Sequence, residues 1–444
     1  MEPICAISTA YGSGGIAVVR VSGDGAIGLV DKLFRGKRAL REARGNSIHY
    51  GTIVHPVRGE ELDEVLVSVF RAPHSFTGED TAEIACHGSL YIQQELLRWL
   101  VESGCRAARA GEFTQRAFLN GHMDLSQAES VADLIAAQSK AEKDLALSQL
   151  RGGVSNELAS LREQLLHLTS LIELELDFAD HEELEFADRG ELRELAARLE
   201  AHIRRLTETF KTGNAIRNGV PVAIIGATNA GKSTLLNALV GEERAIVSDV
   251  HGTTRDTVED TIVINGVLFR LIDTAGLRET QDAVEAVGIV RSRRAAERAL
   301  IIVHVIDGTR PAAAPEWLPA DKTVLTVYNK SDLCEGDATG EPGALHISAK
   351  RGEIGELVDA LRDAAQSLFD RTEGTCISNV RHYEALLRAL EAIRRVQAGL
   401  ESGLSGELLS EDLHDCLQAL GEITGQITSQ EVLNNIFAHF CVGK

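Results

Sequence analysis

The segment Gly226-Ala-Thr-Asn-Ala-Gly231-Lys232-Ser233 has the residue types and spacing of a loop that cradles phosphate. It follows an apolar run, VPVAIIG, and leads into TLLNALVG, which has helical spacing. In such a strand, loop and helix, backbone N–H groups converge on phosphate oxygens, the lysine reaches the β and γ oxygens, and the serine hydroxyl ligates magnesium. Asn229, Ala230, Gly231, Lys232, Ser233 and Thr234 are therefore the candidate phosphate and metal contacts. Asp273-Thr274-Ala275-Gly276 closes a second apolar run. There a carboxylate can hold the magnesium shell and the Gly276 amide can meet the γ-phosphate. Asn329-Lys330-Ser331-Asp332 closes a third run, TVLTVYN. A carboxylate at Asp332 accepts hydrogen bonds from both the ring N–H and the exocyclic amine of guanine, whereas adenine would leave it unpaired. Ser348-Ala349-Lys350, after the next short run, can set a backbone amide on the guanine carbonyl oxygen. In this order the motifs predict a P-loop GTPase that takes GTP, not ATP.

Between the first two motifs lies Ser248-Asp249-Val250-His251-Gly252-Thr253-Thr254. A threonine hydroxyl from this stretch can complete the magnesium shell when the loop closes on the γ-phosphate. The position after Asp273-Thr274-Ala275-Gly276, where some GTPases carry a glutamine that orients the attacking water, is Leu277. Another residue must then orient the water, and the transition-state charge must be met from elsewhere. The Asn229 side chain, with carbonyls of the 248–253 stretch, can hold a cation beside the phosphates.

These motifs need elements to carry them. Residues 1–120 show short strand-like runs (16–21, 51–57 and 65–70) followed by a helical segment, 90–102, which predicts a compact α+β domain. Residues 121–215 turn to helical spacing, with Leu158, Leu161, Leu165, Leu168 and Ile172 recurring at three and four. Residues 216–372 alternate apolar runs with helical segments, the pattern of a doubly wound parallel sheet, and residues 373–444 are helical again. The predicted architecture is thus multidomain: an α+β N-terminal domain, a discontinuous all-α domain, and an inserted α/β P-loop domain.

Composition narrows the setting. A net charge of −21 opposes any broad nucleic-acid groove, so an RNA contact must be local or made through a partner. Seven scattered cysteines with no C-x-x-C pair argue against a disulfide framework or structural zinc site and fit a reducing cytosol. No signal-peptide pattern or membrane-length apolar run is present, so a cytoplasmic protein is expected.

Taken together, R-x-S-G, F-T-G-E-D, G-E-F-T-Q-R-A-F-L-N, N-A-G-K-S-T, G-T-T-R-D, D-T-A-G-L-R, N-K-S-D and a terminal C-V-G-K resemble the MnmE or TrmE family of tRNA-modification GTPases along the whole chain. The resemblance implies an N-terminal domain that binds 5-formyltetrahydrofolate or a related one-carbon tetrahydrofolate and dimerises. It also implies a GTPase domain activated by potassium-dependent dimerisation. With the flavoprotein MnmG, in a heterotetramer, the family places a carboxymethylaminomethyl or aminomethyl group on the wobble uridine of certain tRNAs. Carried onto this chain, Asn229, Ser248, Val250 and Thr253 would bind potassium, Ser233 and Thr254 magnesium, and Glu285 would act on the hydrolytic water through a second water. Arg20, Glu83 and Lys444 would line the folate site, with Cys441 close by. The lysine expected after F-L-N is His122 here, and the usual P-loop proline is Thr228. A ribosome-assembly GTPase switch is the rival reading, and it would call for an appended basic RNA-binding module.

Overall fold

The computed structural model describes residues 1–177, 189–241, 260–272, 285–310, 315–334, 343–370 and 374–443. The chain forms two compact units, one of residues 1–132 with 421–444 and one of residues 133–420.

The first unit is built on a seven-stranded sheet of order β3-β4-β5-β6-β2-β1-β7. Its strands are β1 (Ile4–Ile7), β2 (Gly14–Ser22), β3 (Phe34–Gly36), β4 (Ser47–Val54), β5 (Glu61–Phe70), β6 (Thr81–Gly88) and β7 (Arg106–Ala107). Alternation decides which face is inside: Val65, Val67 and Val69 of β5 are buried while Leu66 between them is half exposed. Helices Ala26–Leu33 and Leu90–Glu102 cover the buried face with Ile27, Val30, Leu96, Trp99 and Leu100. The C-terminal helix, Gln430–Ala438, belongs to this unit. Its Leu433 and Phe437, with Phe440, pack on Leu125 and Ala128. The compact units therefore divide the chain differently from the sequence-based scheme, which gave residues 121–132 and everything after 373 to the helical domain. The apolar face of the last helix is satisfied by the N-terminal unit.

The second unit holds the long helices and the second sheet. Helix Arg189–Glu208 packs along Val380–Ser402, bringing together segments from either side of the inserted α/β part. Arg394 Nε reaches Glu200 Oε1 at 3.1 Å across that pair. The sheet has the order β13-β12-β11-β8-β10-β9, from β8 (Val220–Gly226), β9 (Asp260–Ile264), β10 (Val267–Ile272), β11 (Ile301–Asp307), β12 (Thr323–Asn329) and β13 (Leu345–His346). β8, β10, β11, β12 and β13 run parallel, and the continuous apolar runs of β8 and β11 are buried on both faces. β9 departs from the all-parallel expectation and pairs antiparallel with β10. The cause is local. Asn265 (φ 49°) and Gly266 (φ 82°) are both left-handed, the geometry of a two-residue hairpin turn.

Candidate functional site

The parallel strands end along one edge of the sheet, and there β8 closes on Gly226 and β12 on Asn329. β8 delivers Gly226, whose φ of 152° and close approach to β11 exclude a side chain: a Cβ there would lie 2.1 Å from Val305 O. The loop then takes two left-handed residues, exposed Asn229 (φ 63°) and Gly231 (φ 95°), before helix Lys232–Gly241 begins. Alternation of left- and right-handed residues turns successive N–H groups into one concavity, and the helix N-terminus adds its own unpaired donors. Lys232 folds over this concavity, its Nζ donating to Gly226 O (2.9 Å) and Ala227 O (2.8 Å). Burial lowers the Lys232 pKa from the ordinary lysine value, so an anion beside this ammonium is favoured. Ser233 and Thr234 follow on the helix, the first half-buried and the second exposed.

The second cluster forms where β12 and β13 end. Asn329 is buried (3% exposed) and bridges three loops. Its Nδ2 donates to Ala230 O of the phosphate loop (2.9 Å), and its Oδ1 accepts from Ala349 N (3.0 Å). Gly231 sits so close that a Cβ would meet Asn329 Nδ2 at 2.2 Å. Lys330 is left-handed (φ 67°) and pairs with Asp307 of β11, Nζ to Oδ2 2.6 Å. Burial opposes ionisation of Asp307, but hydrogen bonds from Lys330 and Thr309 outweigh it and hold the carboxylate below its usual range. Asp332 lies in the Ser331–Leu333 turn, where Ser348 Oγ donates to its Oδ1 at 2.7 Å and lowers its pKa. Ser348 is buried and Lys350 exposed. Asp332 thus presents an ionised, half-exposed carboxylate beside the Ser348-Ala349 turn, whose own amides donate to Glu353 O (3.2 Å) and Asn329 Oδ1 (3.0 Å). Asp307 was not singled out from the sequence; the signal was its place at the end of β11, matching that of Asn329 on β12.

Of the remaining nucleotide candidates, Ser248, Asp249, Val250, His251, Gly252, Thr253, Thr254, Asp273, Thr274, Ala275 and Gly276 lie outside the described residues, as does Leu277. Glu285 opens helix Glu285–Arg298. Among the described residues no group of three or more His, Cys, Asp or Glu is placed to hold a metal ion, and all seven cysteines are free.

The first unit gathers its own set. Arg20 on β2 and Glu83 on β6 are register partners, and Arg20 Nε and Nη2 reach Glu83 Oε1 at 2.9 and 2.8 Å. The guanidinium stacks near Phe76 (5.2 Å) and Phe113 (5.6 Å), while its Nη1 is buried without a partner. Those two phenylalanines lie inside F-T-G-E-D and G-E-F-T. His122 is exposed and its ring lies against Gly78, where a Cβ would meet Cδ2 at 2.7 Å. No hydrogen bond joins it to Arg20 or Glu83. The tail is seated on the same unit: Val442 bridges Ala110, Cys441 O accepts from Gly111 N (3.4 Å), and Gly443 O accepts from Ser8 Oγ (3.1 Å). Cys441 is exposed, and Lys444 lies outside the described residues.

No helix among the described residues is long and apolar enough to cross a membrane. A family model described as the MnmE helical domain matches residues 125–441, and one described as the GTP-binding protein TrmE N-terminus matches residues 3–122. The tRNA modification GTPase MnmE of Parabacteroides distasonis is 55% identical over 462 aligned positions, covering 100% of both chains. Those of Phocaeicola vulgatus and Flavobacterium johnsoniae are 50% and 47% identical, each over 100% of this chain and 99% of their own. Among solved structures, the FeoB G-domain from Methanococcus jannaschii is 28% identical, covering 33% of this chain and 96% of that chain at a TM-score of 0.23. With two family models meeting end to end and full-length relatives at this identity, the chain belongs to the MnmE family of tRNA modification GTPases.

Proposed function

We propose that this GTPase hydrolyses GTP with potassium in place of an arginine finger and that, as a homodimer joined to the flavoprotein MnmG, it installs a carboxymethylaminomethyl or aminomethyl group on the wobble uridine of certain tRNAs. The observation that carries the potassium reading is Asn229: an exposed, left-handed asparagine in the middle of the phosphate loop, in a chain whose water-orienting position is Leu277. Its carboxamide oxygen can ligand a cation beside the β and γ phosphates, with Ser248, Val250 and Thr253 as further ligands. The described cradle of Gly226, Gly231 and Lys232 suits the triphosphate, and the Ser233 hydroxyl at the helix N-terminus suits the magnesium that accompanies GTP in this family. Thr254 would join Ser233 on magnesium, and Asp273 would hold its shell. When bound, magnesium and potassium would supply positive charge against the phosphates. Lys232 binds and orients them, and Glu285 positions the attacking water through a second water.

Hydrolysis by the intact chain is expected to fall on the order of 10² to 10³-fold when potassium is replaced by sodium, the usual cost of one lost electrostatic contributor. Asn229→Ala should lose the difference between the two salts. Phosphate release in matched potassium and sodium chloride checks both, and equal rates for the wild type would remove the cation from the mechanism. Mass analysis of tRNA from cells lacking the gene, with and without the restored chain, tests the wobble-uridine assignment.

Arg20, Glu83, His122 and Lys444 are proposed as the folate contacts, with Cys441 near them. The support is the Arg20 and Glu83 pair walled by Phe76 and Phe113, an arrangement suited to a flat pterin ring, and the seating of Cys441–Gly443 on the same unit. Calorimetry with 5-formyltetrahydrofolate should show at least ~10-fold weaker binding for Arg20→Ala, since a charge-assisted hydrogen bond contributes about 1.5–3 kcal/mol. Removal of the last four residues should also weaken it, and unchanged affinity there would exclude Cys441 and Lys444 from the site.

A further inference from the structure

The surface charge of the N-terminal unit is strongly uneven. Residues 32–44 carry six basic side chains (Lys32, Arg35, Lys37, Arg38, Arg41 and Arg44) and one acidic, Glu42, whereas the other residues up to 120 carry seven basic and 13 acidic. All six are exposed. Arg41 is paired, through Nε to Asp31 Oδ2 at 2.8 Å. The other five have no carboxylate partner among the described residues, and the Arg35 bond to Phe34 O leaves its charge free.

The ribbon that carries these charges is anchored. Leu33, Phe34, Leu40 and Ala43 are buried between them. The buried Asp31 carboxylate fixes the bend by accepting from Leu40 N (2.5 Å), and Arg71 Nη2 donates to Arg41 O (2.7 Å). Cations on an edge strand can serve only to discourage stray pairing, and β3 is an edge. That role needs one or two charges on the strand itself. Here Lys37, Arg38, Arg41 and Arg44 lie beyond the strand's three residues. Beside the ribbon, Gly36 pairs with Gly51, and the preceding Tyr50 is 62% exposed. Lys32 and Arg41 also border a surface hollow with Asp24, Gly25, Gly28 and Leu29.

We propose that the 32–44 ribbon docks on the phosphate backbone of the tRNA substrate, with Tyr50 available to stack on a sugar or base. The inference rests on the reading that the chain acts on tRNA. Five exposed cations without a carboxylate partner among the described residues, on a ribbon whose strand pairs next to an exposed tyrosine, fit an extended polyanion. In a chain of net charge −21 it is the local contact that such a protein requires. Phosphate contacts position without reading sequence, so this surface would hold different tRNAs alike.

The test is tRNA binding by the intact chain, followed by anisotropy across a salt series. Arg35→Gln/Lys37→Gln/Arg38→Gln should weaken binding roughly tenfold near 0.1 M salt, equally for different tRNAs, and reduce the slope of log K against log salt by about 3, near 1 per phosphate contact. Arg35→Lys/Arg38→Lys keeps the point charges and should keep the slope. GTP hydrolysis and melting temperature should stay at wild-type values in both variants. Unchanged affinity and slope in the glutamine variant, no tRNA binding by the wild type even at low salt, or loss of MnmG binding with tRNA binding intact would each overturn the proposal. The last result would assign the ribbon to an acidic protein face. If the wild-type chain fails to restore wobble-uridine modification in cells lacking the gene, the underlying reading falls; if it restores it while the glutamine variant binds tRNA normally, only the ribbon's role falls.

Discussion

Asp332→Asn is expected to lower GTP affinity about 10² to 10⁴-fold and to create affinity for xanthosine triphosphate. Two hydrogen bonds from guanine to an ionised carboxylate contribute about 1.5–3 kcal/mol each, and each 1.4 kcal/mol is a factor of ten. The substituted amide presents one acceptor and one donor. Its oxygen still meets the ring N–H, but its NH₂ now faces the guanine amine. Xanthine carries a carbonyl at that position and restores the match. Ser348 Oγ, which donates to Asp332 Oδ1 at 2.7 Å, retains its partner on the substituted side chain, so the turn should survive. Titration with fluorescent guanine and xanthine nucleotides checks the exchange, and a variant binding GTP as the wild type does would remove Asp332 from base reading. The same hydrogen bond sets the acid limit. It lowers the Asp332 pKa, so the reading carboxylate is ionised at neutral pH and is lost only as pH falls through that depressed value. Ser348→Ala should move this loss to higher pH, toward the ordinary carboxylate value near ~4.

The phosphate loop and the Asn-Lys-Ser-Asp motif were legible in the sequence because their chemistry needs adjacent residues. A loop that turns amides inward requires glycine at Gly231, and a base reader requires its carboxylate beside the turn that aims it. Strand β8 and helix Leu90–Glu102 were readable to the residue, since each is a continuous pattern bounded by glycine or a charged end. The antiparallel β9 is marked in the sequence only by Asn265-Gly266 between two apolar runs, which share the composition of the parallel strands around them. Other features were not legible at all. β1 is four residues long and identifiable only through its neighbours β2 and β7. The seat of the tail on Ser8 joins residues 435 apart, and nothing in Cys-Val-Gly-Lys announces its partner. Likewise, the wall that Phe76 and Phe113 make around Arg20 depends on how three separate segments fold together.

Removal of one buried amide should uncouple the phosphate and base ends of the site. Asn329 ties them: Nδ2 to Ala230 O, Oδ1 to Ala349 N, and van der Waals contact with Gly231. Asn329→Ala leaves a carbonyl of one loop and an amide of another buried without partners, at about 1–3 kcal/mol each. Part of that cost appears as lower stability and part as weaker nucleotide binding, because ordering the two loops must then be done by the ligand. GTP and GDP affinities are expected to fall together, on the order of 10- to 10³-fold, without a change in base preference, in contrast to Asp332→Asn. Asn329→Asp separates the two bonds. It keeps an acceptor for Ala349 N but presents a carboxylate oxygen to Ala230 O, so the base end should stay closed while the phosphate loop is pushed away. Affinity for free guanosine should then survive better than affinity for GTP. Calorimetry on both variants with guanosine, GDP and GTP reads the difference. Equal losses for guanosine and GTP in Asn329→Asp would mean that the two loops move as one body, and that the amide braces the fold instead of linking two separately adjustable halves of the site.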